Sequence, residues 1–224
     1  CNDYLNLSQH PDIKKAAIEA TEKYGVGSGA SRLVTGNNPL FGELEVRLAR
    51  LKSAEAACVF GSGYLANTGI IPALIGADDL VCVDEFSHAC IYAGASLTRG
   101  ALHPFHHNDT GHLREIMETH RSGHPRALIV TDGVFSMDGD LAPLAALSDV
   151  AAEHDTWLMT DDAHGIGVVG GGRGSSFVNG GEGKVPLLMG TLSKAIGAYG
   201  GYLCASKPGI DLIRTRGRTL IYST

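Results

Sequence analysis

Short β-branched and apolar runs separated by longer helical patterns constrain this chain more than any other feature of its sequence. Residues 56–60, 80–84, 127–131, 157–161, 187–190 and 201–205 read as strands. Residues 11–24 read as a helix opened by proline, and 40–52 as a second, with Leu44, Leu48 and Leu51 on one face. A turn at Gly61-Ser62-Gly63 leads into a helix through Leu74, and 88–97, 112–121 and 144–154 carry further helical patterns. Strand–helix alternation at this spacing predicts an α/β fold, a mostly parallel sheet flanked by helices. Ligands bind such sheets beyond the carboxyl ends of the strands. The residues that follow each strand are therefore the candidates for chemistry.

Composition removes several function classes. The 224 residues carry a net charge of -6 without any acidic or basic block, so no nucleic-acid or membrane-surface partner is expected. No apolar run approaches the roughly 20 residues that span a bilayer, and no export signal opens the chain. Five cysteines without paired spacing read as reduced thiols, which fits a cytoplasmic location. The chain opens at Cys1 without an initiator methionine and closes on a strand-like run, 220–224, so both ends read as cut.

Lys194 follows an apolar strand and precedes Gly197, Gly200 and Gly201. A lysine at a strand end in a tight site loses solvation, which frees its amine to attack a carbonyl. The glycines would let backbone approach a planar ligand. Asp161 and Asp162 end the strand built on Trp157, Leu158 and Met159, and strand alternation points them in opposite directions. One can face a ligand while the other bonds to structure. A buried carboxylate needs a cationic partner, and a protonated pyridine is one. Ser62, Gly63 and Tyr64 lie between a strand and a helix, where exposed amides cradle phosphate. His88 and Ser136 each follow a strand as well, the first able to stack on a ring and the second to donate a hydrogen bond.

Two other patterns are weaker. Gly165-Ile166-Gly167-Val168-Val169-Gly170 matches a dinucleotide fingerprint, but the Gly171-Gly172-Arg173-Gly174 that follows cannot open the required helix. His103, His106, His107 and His112 lie in a strand leading into a polar loop without metal-ligand spacing, so no metal is expected.

These segments together resemble the α-oxoamine synthase family of fold-type I pyridoxal 5′-phosphate (PLP) enzymes. The resemblance runs along the whole chain through Asn2-Asp3-Tyr4-Leu5, Gly27-Ser28-Gly29-Ala30-Ser31-Arg32, Ser62-Gly63-Tyr64, Ser87-His88-Ala89, 133–140, Asp161-Asp162-Ala163-His164-Gly165 and Thr191-Leu192-Ser193-Lys194. It implies PLP as cofactor and a condensation of an amino acid with an acyl-CoA, with loss of carbon dioxide. It implies Lys194 as the Schiff-base lysine, Asp161 on the pyridine nitrogen, and His164 and Ser136 near the phenolic oxygen. His88 would stack on the ring, and Ser62, Gly63, Tyr64 and Thr191 would hold the phosphate. A homodimer with shared sites is implied, Thr224 reaching the neighbouring subunit's phosphate.

Runs 134–140, 161–165 and 220–224 most resemble the branch that joins L-alanine to a pimeloyl thioester in biotin biosynthesis, with the serine palmitoyltransferase, 5-aminolevulinate synthase and 2-amino-3-oxobutyrate CoA ligase branches, or a PLP aminotransferase, as alternatives. Ala30 and Phe41 depart from that branch, where glycine and histidine are usual. Residues 1–25 read as an incomplete N-terminal segment and 26–224 as the large PLP-binding domain. A small C-terminal domain, with the arginine that anchors the substrate carboxylate, is expected beyond residue 224. Arg214, Arg216 and Arg218 are expected on a solvated helix face.

Overall fold

The computed structural model describes residues 1–178 and 183–223. Its centre is a sheet of β1 (Ala56–Phe60), β2 (Leu80–Asp84), β3 (Ala101–Phe105), β4 (Ala127–Asp132), β5 (Trp157–Asp161), β6 (Leu187–Thr191) and β7 (Gly201–Ala205). The strand order is β1-β7-β6-β5-β4-β2-β3. β7 runs antiparallel to both neighbours, and the remaining pairs are parallel. Consequently β1 to β6 all end at one edge of the sheet.

The strands are buried on both faces, and alternate residues feed two separate cores. On one face Cys82, Ile129, Leu158, Leu188 and Cys204 pack against α2 (Pro39–Leu51), α5 (Thr110–His120) and α6 (Leu144–Glu153). On the other, Val81, Val83, Leu128, Val130, Met159, Met189 and Leu203 meet α3 (Gly63–Leu74), α4 (Ala89–Ser96) and α7 (Lys207–Arg216). Period-two side-chain alternation within uninterrupted apolar runs is what a parallel sheet covered on both sides demands. Leu128 and Ile129 are fully buried on opposite faces, so truncating either to alanine should cost about 2–5 kcal/mol.

The strands and helices read from the sequence recur within two residues at their ends, with one exception. The strand-like run at 220–224 is not a strand: its described part overlaps a short helix, α8 (Arg218–Ile221). Leu220 is buried in the same core as α3, and Thr219 hydrogen-bonds the Leu65 carbonyl. Packing on α3 thus overrides the segment's β propensity. Thr224 lies outside the described residues. α1 (Pro11–Tyr24) forms as expected but buries none of its side chains.

Candidate active site

Beyond the carboxyl ends of β4, β5 and β6 lies a cavity of about 240 Å³. Asp132, Asp161 and Thr191, the last residues of those strands, reach it together with Lys194 and His164. The N-terminal turns of α3 and α4 close it with Ser62, Gly63, Tyr64 and His88. Residues more than 130 positions apart thus meet because the parallel strands end at the same edge of the sheet.

Lys194 sits just past β6 with its Nζ 2.6 Å from His164 Nε2. Burial holds the lysine below its usual range, opposed by the charges of Asp161 and Asp132. His164 is pushed down to about 4, chiefly by burial and then by the Lys194 charge. The imidazole is therefore neutral at physiological pH. Since Lys194 donates to Nε2, the ring proton belongs on Nδ1, which lies 2.6 Å from the Tyr4 hydroxyl. Tyr4 in turn donates to Asn2 Oδ1 at 3.2 Å. A chain of hydrogen bonds thus ties the lysine to the N-terminal segment.

That segment also explains a glycine. Gly197, with φ of +70°, lies so close to Leu7 and Ser8 that an added Cβ would meet the Ser8 nitrogen at 2.4 Å. Gly201 likewise faces the Ser62 carbonyl. Gly197 and Gly201 thus make room for the protein's own backbone, a role their sequence context did not reveal.

At the start of α3 the Ser62 side chain caps the helix through Leu65 N at 3.1 Å. The first amides of the helix lack intrahelical acceptors and carry the positive end of its dipole. Thr191 faces the same turn across Gly63.

Asp161 and Asp162 point to opposite sides, as strand alternation requires. Asp161 is buried and accepts from Ala163 N at 2.9 Å and Asn67 Nδ2 at 2.7 Å, with no ion pair among the described residues. Burial pushes its carboxyl up. Asp162 instead pairs at 2.8 Å with Lys52, whose side chain is wholly buried.

A family model for aminotransferase class I and II matches residues 1–224. The chain belongs to that family. Curated relatives narrow the likeness. An 8-amino-7-oxononanoate synthase from Methylocella silvestris is 63% identical over the whole chain, which spans 64% of that protein. One from Beijerinckia indica is 62% identical, the chain again matching throughout and spanning 58% of the relative. Among solved structures, a serine palmitoyltransferase from S. paucimobilis, with PLP and myriocin bound, superposes with a TM-score of 0.95 at 34% identity. That match covers 99% of this chain and 56% of the other. The resemblance to α-oxoamine synthases carried by the motifs is thereby borne out, and the chain spans a little over half the length of such relatives.

Set within this family, the candidate residues divide. Lys194, Asp161, His164, His88, Ser62, Gly63, Tyr64 and Thr191 all line the one cavity. Ser136 does not: it stands exposed on the turn between Val134 and Leu141. Its distance follows from the turn, which carries it outward from the end of β4. His88 serves as the α4 cap as well, its Nδ1 accepting from Cys90 N at 3.2 Å.

Sequence reasoning passed over Asp132 and Asn67. Asp132 is pushed up to about 8 by burial and by the Asp161 charge, while the His88 amide donates to it at 3.2 Å. Its position at a strand end beside two other candidates was a usable signal. Asn67 lies mid-helix and carried none.

The remaining unusual residues have local duties. His107 bridges Asp84 at 3.0 Å and Asp140 at 2.8 Å, and His103 stacks on His120. Among the described residues no group of three or more potential ligands is placed to hold a metal. Gly170–Gly172 form only a 3-10 turn, with no α-helix to receive a pyrophosphate. Arg216 and Arg218 stand exposed as expected, and Arg214 is part-exposed but also paired inward. Its Nη2 reaches buried Glu45 at 2.8 Å, which also holds Arg32 at 2.6 Å.

Proposed function

We propose that this chain is most of the PLP-binding domain of an α-oxoamine synthase, one that condenses L-alanine with a pimeloyl thioester to give 8-amino-7-oxononanoate in biotin biosynthesis. The observation that carries the reading is the pairing, across one cavity, of a desolvated lysine amine with a buried carboxylate that has no cationic partner among the described residues. A buried anion left without a counter-charge is costly, and a ring nitrogen that carries a proton supplies what Asp161 lacks. The α3 N-terminus offers amides and a positive dipole end to a phosphate. The donor set therefore fits PLP, held by Lys194, Asp161, His88, Ser62, Gly63, Tyr64 and Thr191. When bound, PLP supplies an electron sink for a carbanion at the amino acid Cα.

The chain's own residues do the rest. Lys194 Nζ, whose hold on a proton burial weakens, would be the residue that holds the cofactor through its carbonyl and the base that takes the Cα proton. His164 Nε2 accepts from Lys194, steering the amine within the cavity. Asp161, whose anionic form is favoured by its Asn67 and Ala163 donors, would face the ring nitrogen and favour its protonated form. The substrate carboxylate is anchored by an arginine outside these residues, and the enzyme works as a cytoplasmic homodimer.

The test is amino-acid-dependent CoA release by the full-length protein across a panel of amino acids and acyl-CoAs. L-alanine with pimeloyl-CoA should be fastest. Release that is faster with L-serine and a long-chain acyl-CoA would move the chain to another branch. Amino-group transfer to a keto acid without CoA release would make it an aminotransferase.

A further inference from the structure

Asn67 is fully buried on α3, one turn below the helix start that faces the cavity. Its Nδ2 donates to Asp161 Oδ2 at 2.7 Å and lies 3.1 Å from Cys90 Sγ. Its Oδ1 is buried with no hydrogen-bond partner. Turning the amide over would not relieve that atom: it would set two oxygens against each other at the 2.7 Å now spanned by the hydrogen bond. The other carboxylate oxygen, Oδ1, accepts from Ala163 N at 2.9 Å. Asp161 is thus held by two neutral donors from two different elements, one per oxygen. Two such bonds define the plane of a carboxylate, and each favours the charged acceptor over the neutral acid.

We propose that Asn67 is a positioning residue, which with the Ala163 amide fixes the plane of the Asp161 carboxylate and favours its anionic form. The inference rests on the reading of the cavity as a PLP site. One rigid helix then sets both ends of that site, the anion-binding turn at Ser62–Tyr64 and the carboxylate that answers the ring. The acidity of Asp161, opposed by burial and helped most by Asn67, agrees with this geometry.

The test uses the full-length protein with Asn67→Leu and Asn67→Asp, both close in size to asparagine. In the protein stripped of cofactor, the aspartate carboxyl carbons are titrated by NMR, with Asp161 assigned through Asp161→Asn. Its ionisation should move upward by about one pH unit or more in Asn67→Leu, and further in Asn67→Asp, where a second carboxylate adds repulsion. With PLP loaded, kcat should fall about 10-fold or more while KM changes little. Asn67→Asp keeps the question open to refutation should leucine fail to pack. An unmoved Asp161 titration in either folded variant overturns the proposal. A wild-type protein that takes up no PLP would sink the cofactor reading instead, and the titration would still judge Asn67.

Discussion

Asp161 and Asp162 are neighbours in the chain and opposites in the structure. On the Asp162 side a buried lysine answers the charge at 2.8 Å, Ser175 N donates to it, and Lys52 also reaches the Arg173 carbonyl at 2.6 Å. On the Asp161 side there are hydrogen-bond donors but no cation paired among the described residues, and a second buried carboxylate, Asp132, stands nearby. The first arrangement is closed and uses its charge to hold α2, β5 and the 173–175 loop together. The second is electrostatically unfinished. Two buried carboxyls, both pushed up beside a cavity and without a paired cation among the described residues, mark where a cationic group belongs.

The comparison breaks most visibly at Lys194. Lys194→Ala in the full-length protein, loaded with PLP, should lose all borohydride-reducible cofactor, because no other lysine among the described residues lines the cavity. Mass spectrometry of the reduced protein checks this, and retention of a covalent adduct would refute the assignment.

On the closed side, Asp162→Ala strands the Lys52 charge in the core and should cost about 3–5 kcal/mol in denaturant unfolding. The double change Lys52→Met with Asp162→Leu should recover most of that loss. If the single change is harmless, the pair does not hold these elements together.

The open side should respond in rate and not in stability. Asp161→Asn should slow turnover on the order of 10²-fold, with unfolding stability little changed or raised. A large loss of stability with near-normal turnover would exchange the two aspartates' roles.

A dependence on pH completes the comparison, at Asp132 in the cofactor-free protein. Its folded carboxyl is raised from 3.8 to about 8, so between those values the folded state holds a proton that the unfolded state has released. Its contribution is fully present below pH 3.8 and is lost as pH rises towards about 8. Asp132→Asn should flatten the decline in stability over that window. An unchanged slope would place the excess proton elsewhere.

Much of the site is legible in the order of the residues alone. Lys194, Asp161, Ser62 and Thr191 all stand at strand ends or helix starts, and a parallel sheet gathers such positions at one edge. The opposition of Asp161 to Asp162 follows from pleat alone. Tyr4, which lies 160 residues from the His164 it touches, is visible there only as part of a family motif, without its role. Asn67 looks like any polar residue in an apolar helix, and Arg214 like a surface arginine, because nothing local reveals Glu45 or Asp161 across the core.

What the sequence determined by itself was therefore the set of elements, their parallel arrangement and the strand ends where chemistry collects. Those depend on periodicity and turn residues, which act over a few positions. Tertiary structure decided which charges are answered. Lys52 was matched to Asp162, two arginines to Glu45, and Asp161 was left with neutral donors alone. It also bent 220–221 into helix and set Gly197 against the N-terminal segment. Coulombic matching and close approach depend on which distant segments meet, and that is settled only when the cores on both faces of the sheet are packed.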